Sequence, residues 1–159
     1  MEQPLNDEHF MRLALAEAQH AFEQDEVPVG AVIVARGQVI ARAHNLCERL
    51  NDFTAHAEMQ AFTAASEYLG GKHLDQCTLY VTLEPCSHEG RTPPCVEAIV
   101  AAGIERVVVG TLDPDGRVDG SGVNRLRNAG IEVTHGVLAE EIENTDPGYF
   151  HHRRTGLPL

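Results

Sequence analysis

Apolar residues recur along the chain at helical spacing in some stretches and in short continuous runs in others. Helical spacing over residues 8–24 predicts a first helix, with Asn6 just before it as a candidate N-cap. The short, β-branched apolar run over residues 29–34 predicts a buried strand. A polar turn follows this run, and residues 39–43 predict the hairpin partner of the strand.

The alternation of the two patterns continues to the end of the chain. It predicts further strands over residues 79–83, 106–110 and 131–134, and further helices over residues 54–69, 92–103, 123–127 and 138–151. Asp146, Pro147 and Gly148 should interrupt the last helix, because proline breaks the helical hydrogen-bond ladder. Strands alternating with helices predict an α/β fold, a three-layer α/β/α sandwich around a five-stranded mixed sheet.

Length, composition and charge limit the kinds of protein this chain can be. With 159 residues, of which 43% are hydrophobic, it is long enough for one domain with a real core and too short for two. The formal charge of -12, from 24 acidic and 12 basic residues, weighs against a large nucleic-acid footprint. No apolar run of about 18 residues and no signal peptide is present, which predicts a cytoplasmic protein with no membrane partner.

Four residues carry chemistry that the pattern of helices and strands leaves unexplained. His56, Cys86 and Cys95 offer one imidazole and two thiols, and Glu58 offers a carboxylate. A structural zinc site fills all four tetrahedral positions with protein ligands, whereas a catalytic site uses three and leaves the fourth for water. Zinc lowers the pKa of its bound water from about 15.7 to about 7. The inventory therefore predicts a catalytic zinc site in which Glu58 moves protons.

Polar residues also follow two of the predicted strands. His44 and Asn45 end the second strand, and Glu84, Pro85 and Cys86 follow the third. Ligands of open α/β sheets bind at the edge where strands end, so we expect these residues to meet there. We expect Glu84 to orient its neighbours rather than to take part in the chemistry.

Other uses of the cysteines compete with the catalytic site. Cys77 precedes Cys86 by nine residues, most of them in a predicted strand, and should therefore lie far from the metal. His88 or His44 could still supply a fourth ligand, so a zinc-stabilised binding module without catalysis stays open. A disulfide is disfavoured, because thiols stay reduced in the cytosol.

The H-x-E motif of His56 to Glu58, followed by Pro85-Cys86 and the later Cys95, resembles the signature of the zinc nucleobase deaminases. The likeness runs from about residue 8 to the C-terminus. It implies a cytidine deaminase-like fold, Zn²⁺ held by His56, Cys86 and Cys95, Glu58 as the catalytic proton carrier, and a dimer or tetramer. The implied substrate is a small nucleotide or nucleobase, from which hydrolysis releases ammonia.

Two groups of deaminases share the resemblance. Residues 26–32 and 44–59 are similar to the bacterial tRNA adenosine deaminases and their free-base relatives. The C-x8-C spacing of Cys86 and Cys95, with residues 120–133 and 154–158, resembles the pyrimidine deaminase domain of bacterial riboflavin biosynthesis. This chain departs from that domain at two places: the domain usually has an asparagine and a proline before Val-Gly, where this chain has Glu26-Val27-Pro28, and a histidine where Gln60 stands.

We give the cysteine spacing more weight than these departures, because six inserted residues rebuild a pocket wall. The expected substrate is then diaminohydroxyphosphoribosylaminopyrimidine, with a tRNA adenosine or free guanine or cytosine as alternatives. Because the chain stops at Leu159, we expect a freestanding deaminase without the reductase domain that usually follows. The acidic charge makes tRNA the less favoured substrate.

Several residues are candidates for contacts with this substrate. We expect Asn45 to bind the ring or ribose and the backbone N–H of Ala57 to bind a carbonyl. His88, Arg91 and Thr92, between the two cysteines, are candidates for a phosphate. The predicted helix start at residues 92–95 should favour the Cys95 thiolate. The basic cluster of residues 151–154 is interpreted as a solvated tail or a subunit contact rather than a site.

Overall fold

A computed structural model of the chain describes residues 6–52, 54–71, 73–86, 95–114 and 120–157. The strands in these ranges are β1 (Gly30–Ala35), β2 (Gln38–His44), β3 (Cys77–Leu83), β4 (Arg106–Thr111) and β5 (Glu132–His135). The helices are α1 (Asp7–Glu23), α2 (Ala57–Leu69), α3 (Cys95–Ala102), α4 (Ser121–Asn128), α5 (Ala139–Glu143) and α6 (Pro147–Thr155).

The five strands form one mixed sheet in the order β2-β1-β3-β4-β5. β1 is antiparallel to both β2 and β3, whereas β3, β4 and β5 are parallel to one another. In this arrangement the start of β1 lies beside the ends of β2 and β3, since Gly30 pairs with His44 and Ala31 with Val81. The polar residues that follow β2, β3 and β4 therefore meet at one edge of the sheet, as the sequence predicts.

Helices cover both faces of the sheet and enclose two apolar cores. Alternate residues of β1 point to opposite faces, so Ala31 and Ile33 pack into one core and Val32 and Val34 into the other. The first core also contains residues of α2, α3 and α4. The second contains residues of α1, α5 and α6. The three-layer sandwich around a five-stranded mixed sheet is confirmed.

The segment after β5 divides where the sequence indicates. The interruption predicted at residues 146–148 separates α5 from α6, and the side chain of Asp146 caps α6 by accepting from Tyr149 N at 3.0 Å. Pro147 stands at the first position of α6, where its missing N–H costs nothing. The predicted single helix over 138–151 is thus two helices, and the second extends to Thr155.

An ion pair joins the first turn of α1 to the sheet. Asp7 accepts from Nη1 and Nη2 of Arg106 at 2.8 and 2.7 Å and from the Tyr80 hydroxyl at 2.9 Å. The hydrogen bonds from Arg106 lower the pKa of Asp7 below its usual range. Burial, together with the bond to Asp7, raises the pKa of Tyr80 to about 12.

We expect this ion pair to make folding stability depend on pH in the acid range. A carboxyl with a lowered pKa stabilises the fold fully above the unfolded pKa of about 3.9, and this stabilisation is lost as pH falls through the folded pKa. Asp7→Asn should therefore cost about 1 kcal/mol near neutral pH, the upper end for a partly exposed pair, and almost nothing in strong acid. Urea unfolding at the two pH values measures this, with Glu8→Gln, exposed on the same turn, as the control. An equal loss at both values would contradict it.

Candidate active site

Three segments of the chain bring the predicted zinc ligands together. His56 is the N-cap of α2 with extended backbone (φ -69°, ψ 154°), so its imidazole is free of the helical spacing that would direct it away from Glu58. Its side chain makes no capping bond, and its Nδ1 lies 3.2 Å from Cys95 Sγ. Cys86 follows the end of β3, and Cys95 is the first residue of α3. The extended backbone at the start of α2 therefore places the imidazole beside the Cys95 thiol.

The donor atoms of His56, Cys86 and Cys95 all lie within 4.8 Å of one another. Donors bonded to a tetrahedral zinc ion are separated by roughly 3.5–3.8 Å, so small side-chain adjustments close these three around an ion. Within the described ranges, no further His, Cys, Asp or Glu side chain completes the group. One imidazole and two thiols fit the donor preference of zinc and match a site with three protein ligands.

The other candidate ligands have different positions. Cys77 begins β3, at the opposite end of that strand from Cys86, as its spacing predicts. His44 contacts Glu17 Oε1 at 3.0 Å and Gln24 Oε1 at 3.1 Å, on the side of the sheet covered by α1. His88 lies outside the described residues. The non-catalytic zinc module therefore gains no fourth ligand from His44.

Each of the two cysteines in the cluster changes the pKa of the other. The neighbouring Cys95 thiol lowers the pKa of Cys86 to about 4, and Cys95 N also donates to Cys86 Sγ at 3.1 Å. Hydrogen bonding to Cys86, together with burial, raises the pKa of Cys95. The N–H at the start of α3 therefore stabilises a thiolate at Cys86, and the expected effect of this helix start on the Cys95 thiolate stays a prediction. Hydrogen bonding to Cys86 also raises the pKa of His56. Zinc requires both thiolates and neutral imidazole, so its binding releases protons.

Glu58 lies in the first turn of α2 beside the cluster without belonging to it. Its side chain is 4% exposed, and burial raises the pKa of its carboxyl above the usual range. A carboxyl that lies beside a metal site without being one of its ligands is suited to proton transfer. The arrangement can therefore pair a metal with a separate acid–base group.

Two of the predicted substrate contacts are bonded to each other. The Ala57 N–H, at the start of α2, donates to Asn45 Oδ1 at 2.7 Å. Asn45 is buried and follows β2, so the bond ties the end of that strand to the helix that carries His56 and Glu58. A substrate carbonyl must displace the Asn45 side chain to reach the Ala57 N–H.

Glu84 organises the segment behind the cluster. Its buried carboxylate accepts from Asp113 N and Gly120 N at 2.9 and 3.0 Å, and from Val123 N at 3.0 Å. The last of these donors lies in the first turn of α4, where the helix dipole favours a negative charge. These contacts agree with the orienting role predicted for Glu84.

A cavity of about 230 Å³ opens over the cluster. Its lining contains the predicted residues Asn45, His56, Glu58, Glu84 and Cys86. It also contains Val27, Val29 and Leu83, and three polar residues that the sequence analysis did not select: Asp113, Tyr149 and Arg153. A larger cavity of about 390 Å³, beside Arg36, Tyr68 and Cys77, includes none of the proposed zinc ligands.

Arg153 does not belong to a solvated tail, since it lies in α6 and lines the cavity, whereas a subunit contact of residues 151–154 stays a prediction. The spacing of residues in the sequence did not indicate that Arg153 lines the cavity, because α6 lies far along the chain from the zinc motif. The expected phosphate contacts His88, Arg91 and Thr92 fall in the segment 87–94, outside the described residues, as do Pro93 and Pro94 of the predicted helix start.

Residues 4–111 match the family model of the cytidine and deoxycytidylate deaminase zinc-binding region. The chain belongs to this family. This deaminase is 42% identical over 156 residues to the riboflavin biosynthesis protein RibD of Escherichia coli K12, covering 97% of the chain and 40% of RibD. It is 43% identical over 152 residues to the tRNA-specific adenosine deaminase of Bacillus subtilis 168, covering 93% of the chain and 91% of that enzyme.

Comparison with solved structures supports the same family assignment through the fold. The structure of Acinetobacter baumannii RibD matches with a TM-score of 0.82 at 37% identity, over 96% of this chain and 41% of that one. The deaminase thus spans about 40% of the length of the RibD proteins it matches. The cytidine deaminase-like fold, the zinc cofactor and hydrolysis of a C–N bond are confirmed.

The relatives include both RibD and a tRNA deaminase, and so they establish a deaminase without selecting its substrate. No helix in the part of the chain that the structure describes is long and apolar enough to cross a membrane. The single-domain organisation of residues 1–159, the oligomer and the cytoplasmic location stay predictions.

Proposed function

We propose that this deaminase hydrolyses the exocyclic amine of a diaminohydroxyphosphoribosylaminopyrimidine, with zinc held by His56, Cys86 and Cys95. The observation that carries the proposal is one cavity lined by two of these donors and by Glu58, a buried carboxyl outside the metal group. Two observations support the riboflavin-pathway substrate. They are the C-x8-C spacing and the 42% sequence identity to RibD in an alignment that covers 97% of the chain.

His56, Cys86 and Cys95 would hold the zinc ion, which would supply the acidity that makes a water molecule reactive at neutral pH. The chain itself supplies the proton path. The Glu58 carboxylate accepts the proton of the attacking water and passes it to a ring nitrogen of the substrate. It then takes the remaining proton from the hydroxyl added to the carbon and delivers it to the amine, so that a C=O bond forms as the C–N bond breaks and ammonia leaves.

Asn45 and Ala57 position the ring in this scheme. The Asn45 carbonyl oxygen accepts from Ala57 N, and its amide NH₂ is therefore oriented away from that bond. Asn45 also lines the cavity, so we assign its NH₂ to a ring or ribose acceptor. A substrate carbonyl that takes over the Ala57 N–H would release the Asn45 oxygen for a second contact.

A tRNA adenosine deaminase is the second candidate function. It is supported by the Bacillus subtilis relative, of which the alignment covers 91%, and by the likeness at residues 26–32 and 44–59. The charge of -12 opposes it, because RNA binding requires many cationic contacts with phosphates.

Ammonia release from a panel of substrates separates the two functions. The panel contains the aminopyrimidine ribosyl phosphate, free guanine and cytosine, and a tRNA whose anticodon loop carries adenosine, each at low and moderate salt. We expect turnover of the aminopyrimidine phosphate with little salt dependence. Turnover of tRNA alone, falling steeply with salt, would establish the second function instead, and turnover of free bases alone would exclude both.

Another prediction concerns Arg91, in the segment of sequence between Cys86 and Cys95. It is the only arginine or lysine among residues 87–94, so it is the candidate in that segment for the substrate phosphate. Arg91→Ala should raise KM by about 10- to 100-fold through loss of a charge-assisted bond of about 1.5–3 kcal/mol. The kcat should change little, because the phosphate is bound equally in the ground and transition states. Steady-state kinetics on the aminopyrimidine phosphate measures both constants, and a fall in kcat with unchanged KM would contradict this role.

A further inference from the structure

The C-terminal helix α6 forms part of the wall of the catalytic cavity. Tyr149 and Arg153 both line the cavity and stand four residues apart, so they share one face of the helix. Phe150, between them in sequence, is 2% exposed and packs into the second core with α1 and β1. The Asp146 cap fixes the start of the helix. The position of α6 is thus set by packing and capping rather than by its arginines.

Arg153 is held in place by a chain of contacts that reaches the zinc motif. Its Nη2 lies 3.0 Å from both carboxylate oxygens of Asp113, and the Asp113 N–H donates to Glu84 at 2.9 Å. Glu84 is two residues before Cys86 and 5% exposed. A guanidinium oriented in this way loses little conformational freedom when an anion binds beside it.

The charges around the cavity indicate what this guanidinium can recognise. Among the described residues of the lining, Arg153 is the only arginine or lysine, and the carboxylic acids are Glu58, Glu84 and Asp113. Within the described part of the lining, a substrate phosphate therefore meets Arg153 beside three carboxylic acids. The five N–H donors of a guanidinium allow it to hold a carboxylate and contact a phosphate at the same time.

We propose that Arg153, oriented by Asp113, binds the phosphate monoester of the substrate and makes this deaminase selective for a phosphorylated small molecule. The proposal rests on the function proposed above and names a specificity residue of that site. It assigns Glu84 and Asp113 as positioning residues, since each acts on the substrate through its neighbour.

The test compares one compound with and without its phosphate. Wild type, Arg153→Met and Arg153→Lys are assayed on the aminopyrimidine ribosyl phosphate and on the same compound after dephosphorylation. Arg153→Met should raise KM for the phosphate form by about 10- to 100-fold, leave kcat nearly unchanged and leave the dephosphorylated form unaffected. Arg153→Lys should restore part of the loss, because it keeps the charge without the planar fork.

Arg154→Met is the matched control. Arg154 is the next residue of α6, pairs with Glu143 and is absent from the cavity lining. It should behave as wild type on both compounds. An equal KM increase for both compounds in Arg153→Met, or none for either, would overturn the proposal. If Arg153→Met does not fold, Arg153→Gln replaces it, since glutamine keeps a donor for Asp113 but carries no charge.

A binding measurement separates failure of this proposal from failure of the proposed function. If wild type does not deaminate the aminopyrimidine phosphate, calorimetry with ribose 5-phosphate and with ribose tests the phosphate contact directly. Tighter binding of ribose 5-phosphate that is lost in Arg153→Met would support the contact on its own. Equal binding of the two sugars would overturn it. Turnover of tRNA alone, with a smaller salt dependence in Arg153→Met, would assign Arg153 to RNA phosphodiesters and overturn the selectivity for a small molecule.

Discussion

Glu58→Gln is expected to lower the deamination rate by about 10²- to 10⁴-fold while the protein folds normally and keeps its zinc. Glutamine has nearly the shape of glutamic acid, so it fits the same site at the start of α2. It cannot exchange protons, and no other carboxyl in the described lining lies in the first turn of that helix. The loss should appear in kcat, because the proton transfers occur in the chemical steps.

The measurement combines kinetics with metal analysis and unfolding. Glu67→Gln is the control, since Glu67 is exposed near the other end of the same helix. A Glu58→Gln variant with full activity would remove Glu58 from the mechanism. A variant that is inactive because it has lost zinc would make Glu58 a metal-supporting residue instead. The expected combination of retained zinc and lost turnover distinguishes an enzyme from a zinc-stabilised binding module.

The local sequence was sufficient to predict the zinc cluster because each donor lies beside the start or the end of an element with a clear pattern. His56 precedes a helix, Cys86 follows a buried strand, and Cys95 starts another helix. The sheet topology then brings strand ends and helix starts to one edge, which is a general property of α/β folds. The same reasoning placed Cys77 away from the metal, at the other end of β3.

The contacts that the sequence did not reveal depend on side-chain packing between distant segments. Arg153 reaches the cavity only because Phe150 is buried in the core beneath α6, and nothing in the spacing of residues 151–154 indicates this. The hydrogen bond from Ala57 N to Asn45 likewise joins two residues that were each assigned to substrate. To predict either contact, one must know which ends of separate helices and strands meet in the folded chain.

The charge state of the cysteines could not be predicted from helix position either. A helix start favours a thiolate at Cys95, but an adjacent thiol competes for the same charge. The Cys95 N–H donates to Cys86 Sγ, so the helix start stabilises the charge of its neighbour. The Cys95 thiol and the Cys95 N–H both lower the pKa of Cys86, an effect that the position of Cys95 in the helix does not by itself predict.

Cys95→Ser is expected to abolish zinc binding at micromolar metal and deamination with it. A serine hydroxyl is a poor zinc ligand compared with a thiolate, and even changes to residues that only support a ligand weaken metal affinity by about 10- to 100-fold. We therefore expect affinity to fall by more than about 100-fold, with the fold retained through its two apolar cores. Metal content after dialysis against a weak chelator, measured beside ammonia release, provides the test.

Cys77→Ser is the matched control, because Cys77 is also buried but begins β3 away from the cluster. It should lose some stability, since a hydroxyl replaces a thiol in the apolar core, and should keep its zinc. If Cys95→Ser bound zinc as tightly as wild type, the C-x8-C assignment would be wrong and a ligand in the segment 87–94 would have to replace it. His88 is the histidine available there, and zinc loss in a His88→Ala variant but not in Cys95→Ser would identify it.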